Sequence, residues 1–416
     1  NKITLKNIEY ETIDGKLKLS KESQNMIYEK SKGYVSYLRG ENPFTFPHRF
    51  YPQRNIIESF NLDIHGENYS KKPLEFLELY ESKINKSSKQ FDAYYNEILK
   101  VSDSLTIDDE GKLLQLSNCV YPVNSDNIDD LYGDNGMKNT FNVVKGKYAY
   151  KKDIPNFLDL DNLKDYSSKI HSIITEINNT EGIVFIYSNY LSGGILPLVL
   201  ALEQNGYGKY DGQTILSYKH KRDPINYHGK RSKTVSSAKY IVIAGNSLKM
   251  TGNFKNEIKI ATSPENINGE KIKIIIGSSV AAEGLDFKNI RAIHLLEPWH
   301  NINKLEQVIG RGIRNCSHSL LPKEKQNITI YLHTSVFTNK DSRESIETYL
   351  YRRCEKKSFE IGLIELELKK TAIDKYLFQN ANFIKEEDVK EIKLTPAYKD
   401  DSEVILKPFD KKYSRS

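Results

Sequence analysis

The chain has 416 residues, a net charge of +6, and 38% hydrophobic against 28% charged residues, so it is long enough for two or three domains that each bury a core. No apolar run reaches the ~18 residues of a membrane span, and a charge of +6 spread over this length does not itself call for a polyanionic partner, which needs a local patch. The three cysteines, Cys119, Cys316 and Cys354, are far apart in sequence, and they offer neither metal-ligand spacing nor a disulfide framework, which points to a reducing, cytoplasmic setting. The first residues lack the order of a secretory signal, and Asn1 in place of Met suggests a chain that begins mid-protein.

Residues 1–60 read as a connector that packs, with Pro43, Pro47 and Pro52 punctuating extended chain after Gly33. Residues 61–160 read as an irregular and helical insertion. A helical pattern runs near Leu74 to Leu99, and turns are expected at Asp108–Gly111 and at Gly133–Gly136. From 161 to 335 helices alternate with short apolar strands: helix Tyr166 to Ile177, strand Ile183 to Tyr187, helix Gly193 to Gln204, then strands at Tyr240 to Ala244, Ile272 to Gly277, Ala292 to Leu296 and Ile328 to Leu332. That alternation predicts an α/β domain whose mostly parallel sheet carries helices on both faces. Residues 336–416 read as a helical extension with a charged tail. An Asp341-x-x-Glu344 capping box opens a long helix there, with Ile346, Tyr349, Leu350, Leu363 and Leu366 facing inward.

Two segments carry chemistry. The strand Lys271 to Gly277 runs into Ser278-Ser-Val-Ala-Ala-Glu-Gly-Leu-Asp-Phe287, a small-residue turn that another backbone or a phosphate can approach closely. A second strand ends at Glu297-Pro-Trp-His300, and Gln307-Val-Ile-Gly-Arg-Gly-Ile-Arg314 follows. Gly310 suits a tight approach at a helix start. Arg311 and Arg314, three apart, would share one helix face and point at one anion. Forked, permanently charged guanidinium suits the spread charge of a transferring phosphoryl group. Trp299 and His300 read as packing residues.

These residues resemble a family. Ser278 to Asp286 is similar to motif V of superfamily 2 helicases, and Gln307 to Arg314 matches the motif VI pattern Gln-x-x-Gly-Arg-x-x-Arg. Ile183 to Ser188, with the Gly193-Gly194 helix, resembles the motif IV region. Order and spacing agree over residues 165–335, which implies the second RecA-like lobe. Tyr34 to Pro52 and Tyr349 to Asp374 resemble the flanks of this lobe in helicase-like ATPases of large cytoplasmic DNA viruses, of the poxvirus early transcription factor small subunit and nucleoside triphosphatase I type. The resemblance implies arginine fingers at Arg311 and Arg314, with Gln307 orienting the same network beside Gly310. It implies a nucleotide-sensing turn at Gly284 and Asp286, and phosphate contacts of nucleic acid at Ser278, Ser188 and Asn189. Ser279 departs from the acid that many members carry.

A complete ATPase of this class needs a Gly-x-x-x-x-Gly-Lys-Ser/Thr loop for the phosphates of ATP and an acidic pair for Mg²⁺. Gly-Lys occurs at Gly15, Gly111, Gly146, Gly208 and Gly229, never followed by Ser or Thr, and Asp108-Asp-Glu110 reads as a turn. ATP and Mg²⁺ are therefore expected on a first lobe outside these residues, with no metal held here. Residues 218–233 hold six Lys or Arg against one acid, with Tyr218 and Tyr227 interleaved. They read either as a solvated loop or as a nucleic-acid contact through Lys221 and Arg222. Two readings of the whole stay open: a helicase or translocase motor lobe working on DNA in viral transcription, and a non-catalytic RecA-like scaffold that binds a polymerase or nucleic acid.

Overall fold

The computed structural model describes residues 8–13, 16–37, 45–69, 74–101, 105–244, 254–279, 285–338, 343–377 and 391–406. At its centre is an eight-stranded sheet in which each neighbouring pair runs parallel. Its strands are β1 (His48–Phe50), β2 (Leu79–Ile84), β3 (Ile183–Tyr187), β4 (Gly208–Lys209), β5 (Lys239–Ile243), β6 (Ile274–Gly277), β7 (Ile290–Leu295) and β8 (Asn327–Phe337). Spatially they run β1, β8, β7, β3, β6, β5, β4, while β2 continues along the edge of β8 that β1 begins, pairing with Leu332 to Phe337.

Apart from a single turn at Leu160–Leu163, the α-helices among the described residues are α1 (Lys21–Ser31), α2 (Lys89–Leu99), α3 (Ile107–Asn118), α4 (Gly133–Thr140), α5 (Ser168–Asn179), α6 (Leu196–Gln204), α7 (Phe254–Ala261), α8 (Ile302–Ile309) and α9 (Ile346–Thr371). The inner strands are apolar at almost every position because both faces of the sheet are covered. Val184, Ile186, Val242 and Ile276 face the side packed by α5 and α6. Phe185, Ile241, Ile243 and Ile275 face the side packed by α7 and α8. This is the RecA-like α/β architecture expected from the alternating pattern. Among the described residues no helix is long and apolar enough to cross a membrane.

Four local expectations are corrected. The helical pattern at Leu74 to Leu99 is helix only from Lys89, whereas Leu79–Ile84 forms β2. Pairing with β8 buries Leu79, Tyr80, Ser82 and Ile84, so tertiary contact overrides local pattern. Asp108–Gly111 is no turn but the start of α3. The Thr106 hydroxyl accepts from Asp109 N while Asp109 caps Thr106 in return, and the first-turn acids favour the positive end of the helix. Gly133 and Gly136 open α4; a Cβ at Gly136 would stand 2.3 Å from the Tyr121 ring, so close packing explains that glycine. Helix α9 is capped by Ser345, whose hydroxyl accepts from Thr348 N; Asp341 lies outside the described residues. Glu344 instead accepts from Ile64 N and pairs with Arg352 at 2.7 Å. Ile346 and Leu350 are buried, Tyr349 and Leu363 half-buried, and Leu366 is exposed.

Parts of the described segments on either side of 161–335 pack against the lobe. Strands β1 and β2 come from them, and Phe91, Tyr94, Leu113 and Leu116 share a core cluster with Ile346 and Leu350 of α9. A fully buried ion pair joins Lys169 of α5 to Glu347 of α9 at 2.5 Å. Lys169 also donates to Ser117 Oγ and to the Leu296 carbonyl, and Glu347 accepts from Tyr94 and Ser335. Burial of two charges requires this degree of saturation.

Candidate functional site

Ligands of open parallel sheets bind outside the carboxyl ends of the strands. There the ends are tied in register: Ser188 N donates to Gly277 O, Ser278 N to Ile243 O, and Leu296 N to Tyr187 O. Just past β7 lies Glu297, fully buried. One carboxylate oxygen accepts from Ser188 Oγ at 2.9 Å and from Asn189 N, and the other from Asn118 Nδ2 at 3.1 Å. Burial raises the pKa of this carboxyl, and the Lys169 ammonium and the three donors oppose that shift.

Ser188 is buried, with its hydroxyl directed at Glu297, while the Asn189 side chain accepts from Tyr187 OH at 2.9 Å. A Cβ at Gly194 would stand 2.1 Å from Ser188 Oγ, so the glycine lets the π-helical turn Leu191–Ile195 close over this hydroxyl. Ser278 is buried at the end of β6. Glu297 escaped the sequence reading; its one signal was a carboxylate directly after an apolar strand.

The motif VI segment departs from the expected helix face. Helix α8 stops at Ile309, and Gly310 is its C-cap rather than a helix start. Arg311 and Arg314 follow in successive turns, anchored by Arg311 N to Val308 O and Ser317 N to Arg314 O. Gly312 lies against the sheet, its missing Cβ 3.1 Å from Ile293. Contacts with the motif V segment position both arginines. Arg311 Nη1 donates to Leu285 O at 3.2 Å, and Phe287 N donates to Arg311 O at 3.0 Å. Arg314 pairs with Asp286 at 2.9 Å, both side chains largely exposed. Gln307 is exposed on α8. Gly284 lies outside the described residues. Trp299 is half-buried against the core, its carbonyl accepting from Cys354 Sγ, and His300 sits 3.2 Å from Glu110.

The basic loop is not brought to this edge. Residues 218–233 pack on the C-terminal ends of α5 and α6, which lead into the starts of β3 and β4: Arg222 N donates to Gln204 O and Arg231 Nη1 to Asn205 O. The strands separate that surface from Ser188 and Ser278 by about 15 Å. Several cations of the loop are paired. Arg222 forms a fork on Asp159 and a further pair with Asp161, and Lys221 lies 3.6 Å from Glu203. Lys219, Lys230 and Lys233 remain exposed.

Comparison with known proteins agrees with the motif reading. Residues 210–316 match the family described as Helicase conserved C-terminal domain. A "Putative ATP-dependent RNA helicase" of Acanthamoeba polyphaga mimivirus is 27% identical over 86% of this chain and 52% of its own length. A "Putative helicase" of Invertebrate iridescent virus 3 is 32% identical over 67% of this chain and 27% of its own. A termination factor NPH-I homolog of African swine fever virus is 31% identical over 42% of this chain and 26% of its own. The chain thus spans about half the length, or less, of these relatives. The resemblance to the second lobe of superfamily 2 helicases is borne out: the chain carries a helicase C-terminal domain, and its relatives are viral helicase-like proteins.

Proposed function

We propose that this chain is the second motor lobe of an ATP-dependent helicase or translocase that acts on nucleic acid, with DNA favoured, in viral transcription. The observation that carries this reading is the junction of the two motifs, where Arg311 binds the Leu285 carbonyl and Arg314 rests on Asp286. The names of the relatives, an ATP-dependent RNA helicase and a termination factor among them, support nucleic acid as substrate and transcription as setting.

The arginines fit the phosphates of ATP. Arg314 is held by an exposed carboxylate, and such a surface pair is worth only about 0–1 kcal/mol, so a polyphosphate can displace it. In this role Arg311 and Arg314 stabilise the charge that ATP with Mg²⁺ develops during phosphoryl transfer. Gln307 and Gly310 set the approach, and Asp286 releases Arg314 to the nucleotide; Gly284, the other residue of the expected sensing turn, lies outside the described residues. Ser278 and Asn189 face the strand phosphates, and Ser188 holds Asn189 in place through Glu297. The phosphates themselves are gripped by a first lobe bearing the Gly-Lys-Ser/Thr loop that these 416 residues do not contain.

The test is turnover. The chain alone is expected to hydrolyse no ATP. Joined to a lobe with the phosphate loop it hydrolyses ATP in a nucleic-acid-dependent way, and Arg311→Ala lowers that rate by about 10³ or more. Turnover by the isolated chain that Arg311→Ala abolishes would sink the proposal. Intact turnover in the joined Arg311→Ala protein would instead favour the scaffold.

A further inference from the structure

Beside the edge strand β4, the loop of residues 218–233 helps enclose a cavity of about 300 Å³. It lies at the amino-terminal side of the sheet, away from the motif residues. Four cations line it, Lys209, Lys221, Arg222 and Lys239, against a single carboxylate, Glu203.

These cations are not equally committed. Lys209 is buried and pairs with Asp211 at 2.5 Å, and Arg222 is held by Asp159 and Asp161. Glu203 is occupied by other donors: one oxygen accepts from Ile215 N and from Tyr240 OH, the other from Leu216 N. Lys221 stands 3.6 Å from it, beyond hydrogen-bond distance. Lys239 has no ion-pair partner among the described residues. A Cβ at Gly208 would stand 2.9 Å from Lys239 Nζ, so this glycine leaves the ammonium its place over β4. A concave site therefore holds one unpaired and one loosely paired ammonium, backed by two further cations already neutralised.

We propose that this cavity binds a phosphate dianion, free or as the terminal monoester of a larger molecule, with Lys239 and Lys221 as its ligands. Compact ammonium groups on flexible stems suit a phosphate as point charges. A terminal phosphate carries nearly two charges at neutral pH, twice that of an internal phosphodiester. Two sources share this chemistry, the 5′-phosphate end of a polynucleotide and free phosphate. The inference goes beyond the motor reading and does not depend on it.

The test is calorimetric titration of the intact chain with inorganic phosphate, against chloride at equal ionic strength, and with an oligonucleotide carrying either a 5′-phosphate or a 5′-hydroxyl. Saturable phosphate binding, weakened at least tenfold by Lys239→Gln and restored by Lys239→Arg, is the expected result. A preference for the 5′-phosphorylated strand that disappears in Lys239→Gln identifies the strand end as the source. Phosphate binding without that preference identifies free phosphate. Absence of saturable binding to all three probes, or binding that Lys239→Gln leaves intact in a variant with unchanged melting temperature, overturns the proposal. Failure of both oligonucleotides with phosphate still bound would count against nucleic-acid binding by this chain, not against the phosphate site.

Discussion

The guanidinium of Arg314 rests on the carboxylate of Asp286 at 2.9 Å, an exposed pair that joins the segment after β6 to the segment after α8. Surface pairs of this kind contribute about 0–1 kcal/mol. Asp286→Ala and Arg314→Ala are therefore expected to leave the melting temperature of the chain within a few degrees. In a protein that also carries a phosphate loop, Arg314→Ala lowers turnover by about 10³ and Arg314→Lys does not restore it, because an ammonium lacks the planar fork. A large loss of stability in Arg314→Ala would assign the residue to the fold instead.

The buried pair of Lys169 and Glu347 makes the opposite prediction. Glu347→Ala strands an ammonium with no access to water, at a cost of about 3–5 kcal/mol. Lys169→Met combined with Glu347→Leu removes both charges and is expected to be less destabilising than Glu347→Ala alone. Urea denaturation of the two variants beside the unaltered chain measures this. A double variant less stable than the single one would show that packing, rather than charge, dominates the junction of α5 and α9.

Acid should weaken the fold through buried histidines. His294 and His333 share a hydrogen bond of 2.9 Å in the sheet, and His318 binds the Ile290 carbonyl at 2.7 Å. Burial lowers the pKa of His294 to about 3 and of His318 to about 4, and holds that of His333 well below the ordinary value. The unfolded chain thus binds protons that the folded chain refuses. The stabilisation is complete above about pH 6.5 and is lost as pH falls towards 4 and then 3, at roughly 1.4 kcal/mol per pH unit for each histidine. His318→Gln keeps a donor for Ile290 and removes one titrating group, so the slope of stability between pH 6 and pH 4.5 should fall by about that amount. An unchanged slope would exclude His318 as a contributor.

The lobe was legible in the sequence because its strands are covered on both faces, which leaves short apolar runs such as Ile183 to Tyr187 that need no partner to recognise. Leu79–Ile84 was not legible, since alternating Leu, Tyr, Glu, Ser, Lys and Ile becomes a strand only through β8. At Asp108 the acids and Gly111 suggested a turn, while the Thr106 and Asp109 capping box was the better local signal. The arginines were found by motif, but their placement was not. Two arginines three apart share a face only if the helix continues, and α8 ends at Gly310. Glu297 stayed hidden because its partners Asn118 and Asn189 lie 179 and 108 residues away, a distance only folding closes.

The basic loop offers a last prediction, in which fold and electrostatics separate. Gly229 has φ +82°, and a Cβ there would stand 2.0 Å from the Asn178 carbonyl, so Gly229→Ala must lift the loop off α5. On the other side Lys399 donates to His228 O at 2.7 Å, which ties the same turn to the carboxy-terminal segment. Gly229→Ala should raise hydrogen exchange across residues 218–233 while leaving the loop's charge unchanged. Lys230→Glu and Lys233→Glu should do the reverse, because both side chains are exposed. If the loop contacts single-stranded nucleic acid, neutralising each phosphate-bound lysine flattens the slope of log affinity against log salt by about 0.7. Reversal at Arg222 is expected to be a poorer probe, since it also breaks the fork on Asp159 and places a carboxylate beside Asp161. A salt slope unchanged by Lys230→Glu and Lys233→Glu together would leave the loop a structural brace between α5, α6 and the carboxy-terminal segment.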